Sequence, residues 1–87
     1  MTAYIISYDL IKSKDYESLY SAIKSLGKWA RVVESTWVIT SDKSCTEIRD
    51  YLLKYMDNDD RLFVAQSSSI AAWKNVRCSN EWLKENL

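Results

Sequence analysis

The stretch Ala3-Tyr4-Ile5-Ile6-Ser7-Tyr8-Asp9 constrains the fold more than any other part of this chain. Side chains of a strand alternate between its two faces, so Tyr4, Ile6 and Tyr8 share one side and Ala3, Ile5 and Ser7 the other. Both sets are apolar or small. A strand of this kind belongs in the middle of a sheet, with cover on both sides. Asp9 then closes the strand as a carboxylate where the chain leaves the sheet.

The rest of the chain supplies partners for that strand. After a polar connection, Ile11 to Lys14, Asp15 is suited to cap a helix. Tyr16, Leu19, Tyr20, Ile23 and Leu26 form one apolar stripe along it. Gly27, the one glycine in the sequence, stands where a left-handed residue ends a helix. Residues 29–33 and 35–40 are rich in β-branched and aromatic side chains and predict two strands. They form either a hairpin or one long bent ribbon around Glu34-Ser35, since no Asn-Gly or Asp-Gly marks a tight turn. Ser44 and Glu47 make a capping box, followed by a stripe of Ile48, Leu52, Tyr55 and Met56 with Tyr51 beside it. That helix is expected to stop in Asp57-Asn58-Asp59-Asp60, with Asn58 left-handed. Residues 61–66 predict the fourth strand. Beyond the polar break Ser67-Ser68-Ser69, a short apolar patch at 70–73 precedes a last helix, capped by Ser79 and burying Trp82 and Leu83.

Strand, helix, strand, strand, helix, strand is the split βαβ order of a ferredoxin-like α+β fold with a four-stranded antiparallel sheet. The expectation is one domain over 1–87, with its core in 3–67 and a tail in 68–87. Two helices cover only one sheet face. The other face calls for the tail and for a second copy, so a homodimer stacked sheet on sheet is expected.

Composition narrows the chemistry. Twelve Lys and Arg balance twelve Asp and Glu, so a site for a polyanion must be a local patch. Without histidine, the commonest general base and the usual triads are excluded. Two cysteines, Cys45 and Cys78, cannot by themselves make an ordinary zinc site and fit thiols in a reduced compartment. The start has no signal-peptide pattern, and no apolar run reaches membrane-spanning length. A cytoplasmic location is expected.

Each candidate site residue has two readings. Asp9 is suited to hold hydrated magnesium if a symmetry mate supplies a second carboxylate, or to cap the loop that follows it. Tyr8 either stacks on a base or buries the sheet face. Lys28 and Arg31, with Trp29 between them, fit nucleic-acid contact and equally fit an edge strand guarded by charge. Lys12 and Lys14 lie near enough in sequence to steer a polyanion towards Asp9. Asp57-Asn58-Asp59-Asp60 lacks the glycine and glutamate of a calcium loop and is expected to be a solvated turn. Trp73 and Trp82 are expected to be an apolar lid.

A first strand ending in Tyr8-Asp9-Leu10, a helix ending at Gly27 and the strand pair Arg31-Val32-Val33-Glu34-Ser35-Thr36-Trp37-Val38-Ile39 together resemble the Cas-two-like family of small CRISPR-associated proteins and its stand-alone relatives. The resemblance covers residues 3 to about 67. It implies a ferredoxin-like homodimer that handles RNA or DNA, in which Asp9 and its mate hold Mg2+ for phosphodiester hydrolysis. It also implies alternatives: a non-catalytic dimer that binds nucleic acid or a protein partner, or a toxin ribonuclease of the virulence-associated D type. The chain departs from the family in its neutral charge, in the stretch Ala71-Ala72-Trp73-Lys74-Asn75, and in a tail that ends in a helix where CRISPR members donate a fifth strand to the partner.

Overall fold

β1 (Thr2–Asp9) sits where its two apolar faces require, between β3 (Thr36–Ser41) and β4 (Arg61–Gln66). The computed structural model describes residues 1–12 and 16–87. β2 (Lys28–Val33) lies outside β3, and every neighbouring pair of the four strands is antiparallel. α1 (Glu17–Lys24) joins β1 to β2, α2 (Cys45–Leu53) joins β3 to β4, and α3 (Asn80–Asn86) follows. The architecture is α+β and ferredoxin-like.

Register decides which side chains meet. Tyr4, Ile6 and Tyr8 stand beside Ile39 and Trp37 of β3 and beside Val64 and Leu62 of β4. Leu19, Ala22 and Ile23 of α1 and Ile48 and Leu52 of α2 close over them as one buried cluster. Burying each such aliphatic side chain contributes about 1.5–3 kcal/mol, so this face provides most of the drive to fold. Trp37 is central, and its indole Nε1–H donates to the Tyr8 hydroxyl at 2.9 Å. That bond satisfies the two polar atoms this core would otherwise strand.

The helix ends differ in detail from expectation. Asp15, the expected cap of α1, lies outside the described residues, and Tyr16 occupies the N-cap position without a side-chain cap. Gly27 is not left-handed: no described glycine has positive φ, and α1 ends at Lys24 with Ser25 in the right-handed region. Its role is proximity, because a Cβ there would collide with the backbone carbonyl of Thr40. The capping box of α2 is present, with Ser44 Oγ accepting from Glu47 N at 3.2 Å and Glu47 Oε1 accepting from Ser44 N at 3.0 Å. These bonds hold the Glu47 carboxyl below its ordinary range. α2 stops at Leu53, and the chain tightens into bonds from Tyr55 N to Leu52 O and Met56 N to Leu53 O. The tightening keeps Met56 against the core and turns Tyr55 outward, where it meets Tyr51 edge-on. Asn58 is not left-handed either; among the described residues the non-glycine residues with positive φ are Ser69 and Asn75, both in the tail.

β2 and β3 form a hairpin through Glu34-Ser35. Neither turn residue has positive φ, so the primed turns usual in two-residue hairpins are not used. The strands close instead through an irregularity between Arg31 and Val33 and through the Arg31 guanidinium. Its Nε and Nη2 donate to the Glu34 carbonyl at 3.0 and 2.8 Å.

The tail covers much of the second sheet face. Ala71, Ala72, Trp73, Leu83 and Leu87 line a small apolar cavity with Ile5, Val32, Thr36 and Val38. Leu83 is fully buried. The tail is fastened by the Arg77 amide donating to Val32 O at 2.8 Å, by an Arg77–Glu34 ion pair at 3.1 Å, and by Trp73 Nε1 donating to Asn80 at 2.9 Å. Cover stops short of the outer strand, where Phe63 of β4 remains 65% exposed.

Thr40 gives a stability prediction. Its side-chain hydroxyl is buried without a hydrogen-bond partner among the described residues. A valine of the same shape removes that desolvated group, so Thr40→Val is expected to raise the unfolding free energy by about 1 kcal/mol. Urea denaturation checks the sign. A destabilised variant would mean that the hydroxyl is satisfied in solution.

Candidate functional site

Asp9 and Arg61 face each other across the β1–β4 ladder, at the end of the sheet. Alternation puts both on the second face with Ser7 and Phe63, opposite the side that carries the two crossover helices. Arg61 Nη1 lies 3.6 Å from Asp9 Oδ2, with the side chains 74% and 68% exposed. An ion pair so open to water contributes between nothing and about 1 kcal/mol. Either partner can therefore turn to another charge at little cost. Ser7, Tyr8, Asp9, Arg61, Leu62 and Phe63 line a shallow depression of about 150 Å³. Ser7 is not poised as a nucleophile; its hydroxyl shares a 3.2 Å hydrogen bond with Thr36.

The donor chemistry of Asp9 suits magnesium in kind, since that ion prefers one or two carboxylates together with water and phosphate oxygens. Among the described residues no group of three or more His, Cys, Asp or Glu converges on one point. In the lining of this depression the carboxylate is Asp9. Arg61 was not singled out in the sequence. The signal for it is topological: antiparallel pairing sets the last residue of β1 against the first residue of β4.

The remaining predicted contacts separate. Tyr8 is 5% exposed and presents no ring face on which a base could stack. Burial pushes its phenol up, with the bond from Trp37 and the nearby Arg31 charge working the other way. Lys28 and Arg31 do not form one patch, because Lys28 pairs with Thr40 on one face while Trp29 and Arg31 pair with Ile39 and Trp37 on the other. Lys12 is engaged with Asp59 at 3.3 Å. Lys14 lies outside the described residues.

Arg31 belongs to a different assembly. Its guanidinium carbon lies 4.7 Å from the Tyr20 ring centre and 5.3 Å from that of Trp37. Trp29 packs on Trp37 at 5.5 Å, and Lys24 Nζ stands 4.8 Å over Trp29. From the other side of β2 the tail brings Arg77, Cys78, Ser79 and Trp82, closing an open cleft of about 410 Å³.

The turn beside the Asp9 site is organised rather than merely solvated. Asp60 Oδ1 accepts from the Ile11 amide at 2.8 Å and the Tyr16 hydroxyl at 3.1 Å, and its Oδ2 accepts from the Asp57 amide at 2.9 Å. Desolvation, together with the bond to Asp60, raises the Tyr16 phenol. Asp60 thus ties the exit of β1 to the entry of β4, the two points that carry Asp9 and Arg61.

A scan against known protein families finds no family model that matches this chain. No helix among the described residues is long and apolar enough to cross a membrane.

Proposed function

We propose that this chain is a nucleic-acid-handling protein of the Cas-two-like type, which works as a homodimer and cleaves RNA or DNA with Mg2+ between paired Asp9 carboxylates. The observation that carries the reading is the position of Asp9. It ends the central strand on the half of the second sheet face that the tail leaves open, beside the exposed ring of Phe63. A copy related by a twofold axis through that open half would cover Phe63 and supply the second carboxylate.

When bound there, magnesium would polarise a phosphoryl oxygen and lower the pKa of bound water. The chain's own groups have separable tasks. Asp9 would hold the ion, and Arg61, its present partner at 3.6 Å, would turn to a backbone phosphate of the substrate. Phe63 would exclude water from the contact between copies. Asp60 would keep the two strand ends in register.

The test uses labelled single-stranded RNA and duplex DNA, with magnesium or with chelator. Wild type is expected to cleave one of them only with magnesium, and Asp9→Asn to lower the rate about a hundredfold or more. Phe63→Asp is expected to shift the protein to a monomer in sedimentation and to abolish cleavage with it. Equal cleavage by wild type and Asp9→Asn would sink the reading. The second reading is a non-catalytic dimeric module that binds nucleic acid or a protein partner. It is favoured by the Asp9–Arg61 pair, which satisfies the carboxylate without a metal, and it predicts binding without turnover.

A further inference from the structure

We infer that the cleft across the outer edge of β2 is a binding site for single-stranded nucleic acid, separate from Asp9 and independent of metal. Trp29 and Trp82 line it with Lys24, Arg31 and Arg77. The lining contains no carboxylate among the described residues. Glu34 touches both arginines, bonding Arg77 Nη1 at 3.1 Å and lying 3.8 Å from Arg31 Nη2. Among the described residues it is the one carboxylate in contact with any of these three cations, so the cleft stays positive although the chain as a whole is neutral.

The surroundings fix what can enter. Trp29 is 41% exposed although it packs at a tilt of 48° on buried Trp37, so the ring is held from one side while part of it meets solvent. Lys24 stands over that ring and is also within reach of an anion. Bases stack on indoles regardless of sequence, and flanking cations follow the phosphates. The cleft, about 410 Å³ and open to solvent, falls within the range of small-ligand sites, about 300–1,000 Å³. An apolar peptide would leave three cations facing a single carboxylate, Glu34, and a purely acidic chain would leave the indoles unused. Neither half of the site is periodic with the other in sequence, because the tail supplies Arg77 and Trp82 from more than forty positions after Trp29 and Arg31.

The experiment measures anisotropy of a fluorescein-labelled ten-nucleotide oligothymidylate with the full chain in EDTA, at two salt concentrations. Binding that weakens with salt is expected. Trp29→Ala and Lys24→Glu are each expected to weaken it about tenfold, while Lys54→Glu, a cation outside the cleft, leaves it unchanged. Lys24 is at the exposed end of α1, so its variant keeps the test valid if Trp29→Ala fails to fold. Circular dichroism identifies that case. Binding is read in EDTA, where the proposed magnesium-dependent cleavage does not run, which separates failure of this site from failure of the nuclease reading. Unchanged binding in Lys24→Glu, an equal loss in Lys54→Glu, or equal competition by polyglutamate would each overturn the assignment.

Discussion

Replacing Asp60 by alanine is expected to cost about 3 kcal/mol of unfolding free energy and to lower the melting temperature by about 15 °C. The carboxylate accepts from Ile11 N, Asp57 N and the Tyr16 hydroxyl, and hydrogen bonds to a charged acceptor contribute about 1.5–3 kcal/mol each. The sum is not realised in full, because water can reach the Ile11 amide once the carboxylate is gone. The Tyr16 hydroxyl loses its carboxylate acceptor as well. Asp60→Asn is not a rescue. One of its two ends becomes an NH2 that faces a donor, and a loss of about 2 kcal/mol is expected. Urea denaturation of the three proteins checks this order; an alanine variant within about 0.5 kcal/mol of wild type would show that water replaces the carboxylate. Because this turn sets the ends of β1 and β4, any cleavage activity is expected to fall in Asp60→Ala at temperatures where the protein is still folded.

Gly27→Ala is expected to destabilise by a similar amount, about 3 kcal/mol, although it adds a single methyl group to an irregular segment. The φ of Gly27 is not positive, so conformational strain is not the cause. The added Cβ would meet the carbonyl oxygen and carbon of Thr40, both backbone atoms. Backbone in a paired strand yields far less readily than the tip of a flexible side chain, so the start of β2 must move off β3. The displacement would pass to Trp29 and Arg31 and open the cleft. Chemical denaturation reads the stability, and Trp29→Ala serves as the comparison for oligonucleotide binding. A loss below about 1 kcal/mol would mean that the β2 start is pliant.

Tyr8 is one of the groups that shape the high-pH side, with Tyr16 raised in the same direction. Burial raises the Tyr8 phenol above the ordinary value, so the folded state favours the neutral form. The stability this contributes is present below the unfolded phenol pKa of about 10 and is lost as pH rises through the higher folded value.

Much of the fold was legible in the periodicities. Two-sided apolarity in 3–8 placed β1 at the centre of the sheet, and the three-and-four spacing of Leu19 and Ile23, and of Ile48 and Leu52, named the buried helix faces. The capping box at Ser44 needed nothing beyond four consecutive residues. Features set by local chemistry survive into the structure because their partners lie within one turn. The details that changed depend on distant partners. Lys28, Trp29 and Arg31 looked like one patch along the chain, but the pleat of β2 sends Lys28 to the opposite face. Gly27 looked like a helix stop, whereas its requirement comes from Thr40 across the sheet edge.

What the sequence determined by itself is the order of elements, the central strand and the apolar face that helices cover, because each follows from side-chain period. Tertiary structure alone decided that Asp60 ties the turn, since the Ile11 amide and Tyr16 hydroxyl come from a separate segment. It alone set Arg61 against Asp9 through antiparallel register. It also brought Arg77 and Trp82 of the tail to Trp29 and Arg31, by folding residues 70–87 over the sheet face that β1 had left in need of cover.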